Sequence, residues 1–381
     1  MWCRIVLAIV LALTAASAAR ACSLCLNPYS ALTLREESSQ KSCRIIIYGT
    51  VVESKLLPGS DKGYSKVRID SVLKNDPFIA GMKDFEVPRY QPILDKKNPP
   101  KFLVFCDVYK AKLDPYHGVP AQSKTMADYL KGALALDPKD RTKQLLYFFG
   151  FLESPDKRIA EDAFLEFAKS TDQQIGQAAA KLKPEKLRGW LKDSDTADYR
   201  LGLYAYLLGS CGGAEDATYL RSLLLQKQTE RSQKAFDGAL SGYIQLRPKE
   251  GWDLALDLLR DERQPFLVRQ AALRSLKFQY SLKPDDNKTK VLRGLASLLP
   301  QGDIADLAIR DLSDWKLWDL TADVLAQYGK KSHSAPIMRR CIIRYALLCP
   351  KPEAARFVAQ RRKDAAEDVS SVEEGLQLDK R

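Results

Sequence analysis

The sequence predicts an α+β chain of two parts, a small all-β barrel followed by a stack of paired helices. One observation is a change of hydrophobic period after Pro120, from the alternation of strands to the spacing of helices. The other is a set of similar helical segments that recur at steps of roughly 33 to 42 residues, with one double step, a length typical of helix-turn-helix repeats. We therefore expect one domain over residues 22–120 and another over residues 121–365.

The first 21 residues (1–21) have the pattern of a secretory signal peptide. Arg4 gives a cationic start, Ile5 to Leu13 is an unbroken apolar run, and small residues precede two cleavage sites, after Ala18 and after Ala21. The apolar run is shorter than the roughly 20 residues that span a bilayer, and no later segment approaches such a span. We expect a secreted, periplasmic or cell-envelope protein without a transmembrane segment in its mature chain; a retained N-terminal anchor is the alternative.

The composition favours a globular protein with a basic surface. The 381 residues are 45% hydrophobic and carry a formal net charge of +12, which favours attraction to anionic surfaces. A merely solvated surface is the alternative, because Lys and Arg are scattered and interleaved with Asp and Glu. Nucleic acid is not expected, since it calls for aromatic and basic residues interleaved on one face. The expected partner is an unidentified protein or an anionic envelope polymer.

Strand signals fill the first part of the mature chain. Ile45 to Val52 is rich in β-branched and aromatic residues, and Tyr64 to Val72 alternates between apolar and polar residues. Phe102 to Tyr109 is a candidate buried strand, and Phe85 and Val87 indicate a further short one. Several short strands separated by turns predict a small β-barrel or sandwich.

Helical segments then follow one another to about residue 365, separated by short breaks with proline or glycine. Small residues in these segments let neighbouring helices approach, and larger apolar residues fill the layer between them. The charged tail over residues 366–381 has few apolar residues, so we expect it to be disordered. Five helical segments share a pattern of apolar, small and basic residues, and they begin at Arg158, Arg200, Lys234, Val268 and Met338.

One of these segments, Val268 to Ala272, resembles the second-helix signature of HEAT repeats. The resemblance covers roughly residues 124 to 365 and is strongest at this repeat. It implies an α-α solenoid of HEAT-like repeats; other α-solenoids are the alternative. A solenoid of either kind offers a long continuous surface for binding.

The cysteines predict disulfides, because clustered cysteines outside the cytoplasm are more often bridged than bound to metal. Zinc binding or redox activity of the Cys-x-x-Cys pair is the alternative. Lipid attachment at Cys22 is a further alternative, to which Arg20 is a poor fit. Cys3 leaves with the signal peptide, and the odd number that remains leaves at least one thiol unpaired or paired between chains. The disulfide candidates are Cys22, Cys25, Cys43, Cys106, Cys341 and Cys349.

The cysteine pair followed by the strands at Ile47 to Val51, Val67 to Lys74 and Phe102 to Phe105 resembles the netrin-like domain family. This resemblance covers about residues 22 to 115 and implies an OB-like barrel tied by disulfides. The family includes inhibitors that chelate the zinc of metalloproteases through the amine and carbonyl of an N-terminal cysteine. Cleavage after Ala21 would place Cys22 in that position. In this sequence two residues separate Cys22 from Cys25, whereas a single residue separates the corresponding cysteines of the family.

Candidate catalytic residues are absent from the sequence. Acid–base and triad chemistry usually relies on an oriented histidine, and both histidines, His117 and His333, lie in turn-rich segments. Carboxylate pairs such as Glu161 and Asp162 are predicted to be exposed helix residues. The sequence therefore predicts an exported interaction or scaffold protein that is not an enzyme and has no cofactor or metal. The alternatives are a metalloprotease inhibitor acting through Cys22 and a basic binder of anionic polymers.

Overall fold

The computed structural model describes residues 22, 24, 25, 31–60, 62–121, 123–226 and 229–378. The predicted signal peptide, 1–21, lies outside these described residues. Within them, none of the helices combines the length and the apolar character needed to cross a membrane. The predicted α+β class with a helical C-terminal region is confirmed, because a small antiparallel sheet of five strands precedes a long series of helices.

The sheet belongs to a unit that we call the sheet module, residues 31–121. Its strands lie in the order β3-β2-β1-β4-β5, and every pair of neighbours is antiparallel. Among the described residues β3 and β5 are not paired with each other, so they form the two edges of the sheet. The elements are α1 (Leu34–Ser38), β1 (Ile45–Leu56), β2 (Gly63–Lys74), β3 (Asp84–Val87), β4 (Lys101–Tyr109) and β5 (Lys112–Pro120).

Both faces of the sheet are covered, which explains why β1 begins with three fully buried isoleucines. Ile45 and Ile47 point to one face and form a separate core with Val67, Val104 and other residues of the sheet module. Ile46 points to the opposite face, which joins the core of the helices. A continuous β-branched run is the expected sequence for a strand buried on two sides.

The helices that follow the sheet form the helical stack, residues 123–378. They include α2 (Thr125–Leu134), α3 (Arg141–Phe149), α4 (Lys157–Ala168), α5 (Asp172–Ala179), α6 (Pro184–Lys192), α7 (Leu201–Cys211), α8 (Ala214–Leu225) and α9 (Glu230–Leu246). They continue with α10 (Pro248–Arg260), α11 (Phe266–Leu282), α12 (Pro284–Leu298), α13 (Ala305–Asp314), α14 (Thr321–Leu325), α15 (Pro336–Leu348), α16 (Pro352–Asp364) and α17 (Ala366–Leu378).

Alternate helices of the stack pack side by side. α7 packs on α9, α9 on α11, α13 on α15, and α15 on α17, whereas α10 packs on α12 and α14 on α16. An ion pair of 2.7 Å between Lys277 on α11 and the buried Asp311 on α13 continues the first series. One continuous apolar core extends from Cys22 and the sheet to Val358 on α16, so the sheet module and the helical stack share a single interior.

The contact between α7 and α9 is made by backbone atoms. A Cβ atom at Gly238 would overlap the carbonyl group of Gly202, and one at Gly209 would overlap the backbone of Gly242. A Cβ at Gly242 would lie 2.7 Å from the carbonyl oxygen of Ala205. Glycine is therefore required at these positions, because any side chain would force the two helices apart.

The structure differs from the disordered tail expected over residues 366–381, since Ala366–Leu378 forms helix α17. Val369 and Val372 on this helix are buried against Ile343 of α15, and Leu376 packs beside them. These residues recur at helical spacing, so a single apolar stripe holds the helix despite the charge of the segment. Residues 379–381 lie outside the described part of the chain.

Candidate binding site

The two edges of the sheet face a common cavity. The cavity has a volume of about 110 Å³, and residues of all five strands line it. Five strands can share one cavity only if the sheet curls, so β3 and β5 approach each other from opposite sides without pairing. We call this space the sheet cavity; its lining includes Val51, Val67, Val87, Phe102, Val104 and Gly118.

Hydrogen bonds fix one rim of the sheet cavity. The Ser65 hydroxyl on β2 donates to the carbonyl oxygen of Arg89 at 2.8 Å and accepts from the amide of Gln91 at 2.9 Å. The Ser54 hydroxyl on β1 donates to the carbonyl oxygen of Gln91 at 2.5 Å. The segment after β3 is thereby held across the ends of β1 and β2. These hydrogen bonds define the rim, and the walls of the cavity behind it are mostly apolar.

Gly118 on β5 leaves the opposite rim open. A Cβ atom built on this glycine would meet a single atom within 4 Å, Cδ1 of Phe102 at 3.9 Å, which is an ordinary van der Waals distance. A Cβ atom at position 118 would therefore not displace the walls of the cavity that this residue lines. This position offers a direct way to fill the site by mutation.

A small polar cluster lies beside β5. Nδ1 of His117 is 3.7 Å from Oε1 of Glu37, and the His117 ring stacks on Phe105 with 5.4 Å between ring centres. Burial raises the pKa of the Cys43 thiol, which also shares a hydrogen bond with Tyr116. The nucleophilic form of cysteine is the thiolate, so a thiol with a raised pKa is a poor nucleophile. The cluster joins α1 to β5.

The predicted disulfide candidates divide into one pair and several thiols. Cys22 and Cys25 form a disulfide with 5.4 Å between their Cα atoms. In the structure Cys43, Cys106, Cys341 and Cys349 are free thiols, as is Cys211. Burial raises the pKa of Cys106 to about 12, with a smaller contribution from nearby Cys43.

The disulfide segment is docked on the helical stack. The backbone amide of Cys22 donates to the carbonyl oxygen of Ala168, at the end of α4, over 3.1 Å. Cys22 is 6% exposed and Leu24 is 1% exposed. An N-terminal chelating cysteine has to present its amine and carbonyl to the zinc of a protease. The buried position of Cys22 is unlike that arrangement.

Charged residues are buried where the sheet module meets α4. The Glu166 carboxylate accepts two hydrogen bonds from Arg35 at 3.0 Å, one from the Thr33 hydroxyl at 2.6 Å and one from Arg141 at 2.6 Å. Thr33 and Arg35 belong to the sheet module, whereas Arg141 and Glu166 belong to the helical stack. We call this group, together with Asp162 and Tyr129, the junction cluster.

Asp162 lies one helical turn before Glu166 and is half-buried. Its carboxylate accepts the backbone N–H of Leu34 at 2.8 Å and the hydroxyl of Tyr129 at 2.6 Å. Burial raises the pKa of Asp162 to about 6, against these hydrogen bonds, which lower it. Burial also acts on Glu166, but the charges of Arg141 and Arg35 outweigh it, so the pKa of Glu166 is lowered. The pKa of Asp162 is therefore raised and the pKa of the neighbouring Glu166 is lowered, each relative to its ordinary value.

The sequence-based prediction missed both the sheet cavity and the junction cluster. Asp162 is predicted from the sequence to be an exposed helix residue, yet it lies on the same side of α4 as the buried Ile159 and Glu166. A carboxylate at helical spacing within an apolar stripe was the available signal. The cavity had no such signal, because it depends on how far the sheet curls.

The chain matches no protein-family model, no curated protein and no solved structure. Over the residues that the structure describes, groups of three or more His, Cys, Asp or Glu side chains suited to hold a metal ion are absent. The sheet cavity is an apolar recess between two strand edges, with backbone polar groups at its rim.

Proposed function

We propose that this protein is an exported, non-catalytic scaffold that binds an extended segment of a partner protein at the sheet cavity. The observation that carries the proposal is the apolar cavity between the unpaired edges of β3 and β5. An exposed sheet edge binds an extended peptide through backbone hydrogen bonds, and a pocket for one of its side chains gives specificity. The helical stack would support the sheet module rigidly, because the two share one core.

We also propose that the sheet module is an OB-like barrel and that the helical stack consists of HEAT-like repeats. The order β3-β2-β1-β4-β5 supports an OB-like barrel, in which β3 and β5 would be the strands that close it. The helices α7, α9, α11, α13, α15 and α17 begin at residues 201, 230, 266, 305, 336 and 366. Successive starts thus lie about 29 to 39 residues apart, and the alternation of two helix layers supports HEAT-like repeats.

The size of the sheet cavity indicates what it would accept. A cavity of about 150 Å³ accommodates benzene, so one of 110 Å³ suits a single aliphatic side chain or part of an aromatic ring. Such a buried anchor is typical of the residues that dominate the affinity of protein interfaces. We expect a partner segment with one Leu, Ile or Phe that enters the cavity while its backbone follows a strand edge.

The buried Cys22 makes the metalloprotease inhibitor the less favoured alternative. Its backbone N–H is engaged by Ala168, and the surrounding segment packs against the helical stack. Chelation through this cysteine would require the segment to leave its site. The sheet cavity, by contrast, is already present in the structure.

A displayed library of random peptides, selected on the purified protein, tests the proposed function. We expect enriched peptides to share one Leu, Ile or Phe at a fixed position among β-branched residues. Gly118→Leu should fill the cavity and weaken binding of these peptides about tenfold or more. The matched control is Gly189→Leu on α6, where an added Cβ also meets no atom closer than an ordinary van der Waals distance.

A second variant separates a filled cavity from a damaged fold. Val87→Ala enlarges the cavity, so the selected anchor residue should shift towards larger side chains while the protein keeps its circular dichroism spectrum. Peptides without a common anchor, or peptides that bind Gly118→Leu as tightly as the original protein, would contradict the proposal. Export is tested separately by mass spectrometry of the mature N-terminus, which should begin after Ala18 or Ala21.

A further inference from the structure

A second recess lies at the far end of the helical stack, where α13, α15 and α17 meet. It has a volume of about 230 Å³ and is separate from the sheet cavity. Helix α15 presents Ile337, Arg340, Cys341 and Arg344 to it, which are residues on a single helical face. We call this recess the arginine cleft, because Arg310 of α13 completes a set of three arginines along its lining.

Arg310 is exposed and forms no ion pair with any residue in the described part of the chain. Arg340 donates from Nε to Asp368 on α17 at 3.2 Å, and Arg339 shares the same carboxylate at 3.2 Å. One carboxylate thus serves two guanidinium groups, each of which has five N–H donors. The charge and the hydrogen-bond donors of the exposed Arg310 remain available at the cleft.

The cysteine in the cleft adds no negative charge. The Cys341 thiol donates to the carbonyl oxygen of Asp306 at 3.5 Å. Burial and, to a smaller extent, the negative charge of Asp306 raise its pKa to about 12, whereas the charges of Arg310 and Arg344 act in the opposite direction. The group is therefore a neutral thiol at physiological pH. Arg310 and Arg344 line the same recess as this sulfur atom.

Apolar groups form the remaining wall. Ile337 is 67% exposed at the rim, and Val372 of α17 is buried behind it. Gly375 of α17 lines the cleft with no side chain, and a Cβ atom built there would meet nothing within 4 Å. The cleft thus combines a cationic side with a small apolar side.

We propose that the arginine cleft binds an oxyanion group, either a carboxylate, a phosphate or a sulfate, whose carbon body lies against Ile337. Arginine forms planar, charge-assisted hydrogen bonds with such groups, often through two N–H donors at once. The proposal is independent of peptide binding at the sheet cavity. The oxyanion could be a free small ion or a group on an anionic polymer, and the net charge of +12 would favour approach of the polymer.

Isothermal titration of the full mature protein distinguishes the two sources. The probes are inorganic phosphate, inorganic sulfate and a heparin hexasaccharide, all at constant ionic strength, because salt screens exposed charges. Arg310→Gln should weaken binding of whichever probe is bound about tenfold, since it removes one charged set of donors. The matched control is Arg293→Gln on α12, an exposed arginine away from the cleft whose loss lowers the net charge equally.

A second variant leaves all the arginines in place. Gly375→Glu introduces a carboxylate into open space at the cleft and should compete with the oxyanion, again lowering affinity about tenfold. Binding of phosphate or sulfate alone would identify a site for free ions, whereas binding of the hexasaccharide alone would identify a polymer site; both support the cleft if Arg310→Gln weakens them. The proposal is overturned if no probe binds, or if Arg310→Gln and Arg293→Gln lower the affinity equally.

Discussion

The α7–α9 interface and the junction between the sheet module and α4 both contain fully buried residues, but they are opposite in chemistry. Between α7 and α9, glycine backbones meet directly, and no side chain lies between Gly202 and Gly238. At the junction, Glu166 is held by Arg35 and Arg141 inside the protein. The first interface depends chiefly on close backbone packing, whereas the second depends on the match of buried charges.

This difference predicts how substitutions at each interface would affect the stability of the protein. A close backbone contact has no flexible part, so any added atom must move a whole helix. A buried ion pair tolerates movement but not the loss of one partner, because the remaining charge would be left uncompensated. Substitutions at the two interfaces should therefore differ in size and in their dependence on pH.

The largest effect is expected for Gly238→Ala. The added methyl group would overlap the carbonyl group of Gly202, so α7 and α9 would have to separate along their length. We expect a loss of about 4 kcal/mol in the free energy of unfolding, the range of severe packing defects. Chemical denaturation followed by circular dichroism measures it.

A glycine in open space provides the control for this prediction. A Cβ atom added at Gly189 on α6 would have no neighbouring atom within 4 Å, so Gly189→Ala should raise stability by about 0.5–1 kcal/mol through helix propensity. If Gly238→Ala also raises stability, the backbone contact between α7 and α9 is not as close as described.

Glu166→Gln should produce the second largest effect. The substitution keeps the shape of the side chain but removes the charge that Arg35 and Arg141 share, so two buried or half-buried guanidinium groups lose their counter-ion. We expect a loss of about 3 kcal/mol at neutral pH. Glu374→Gln, an exposed position on α17, is the matched control and should change stability by less than about 0.5 kcal/mol.

The coarse fold could be predicted from the sequence because it depends on local periodicity. The strand run at Ile45 and the helical segments beginning at Arg158 and Val268 are recovered in β1, α4 and α11. Helix α17 departs from the expected disorder because Val369 and Val372 form an apolar stripe that packs on α15 despite the charge of the segment.

The candidate sites could not be predicted in the same way, because they depend on contacts between distant segments. Glu166 lies 133 positions from Thr33 and 25 from Arg141, and only the folded chain brings them together. The arginine cleft likewise needs Arg310 and Arg340 from two different helices. The net positive charge follows from the composition, but the place where these arginines come together does not.

The smallest predicted effect concerns the pH dependence of the junction cluster. The pKa of Asp162 rises from 3.8 in the unfolded chain to about 6 in the folded protein, so the folded state holds this proton more tightly. The resulting stabilisation is complete below pH 3.8 and is lost as the pH rises through 6. Glu166 acts in the opposite sense: its lowered pKa gives a stabilisation that is complete above 4.5 and is lost as the pH falls.

Asp162→Asn separates these two contributions. The amide keeps an acceptor for the Leu34 N–H and can donate to the Tyr129 hydroxyl, but it cannot ionise. Between pH 5 and pH 8 the original protein should lose about 1–2 kcal/mol that the variant does not lose. Denaturation curves at these two pH values measure the difference. Parallel pH profiles would mean that Asp162 is solvated in the folded protein, and the junction would then resemble an exposed ion-pair network more than a buried one.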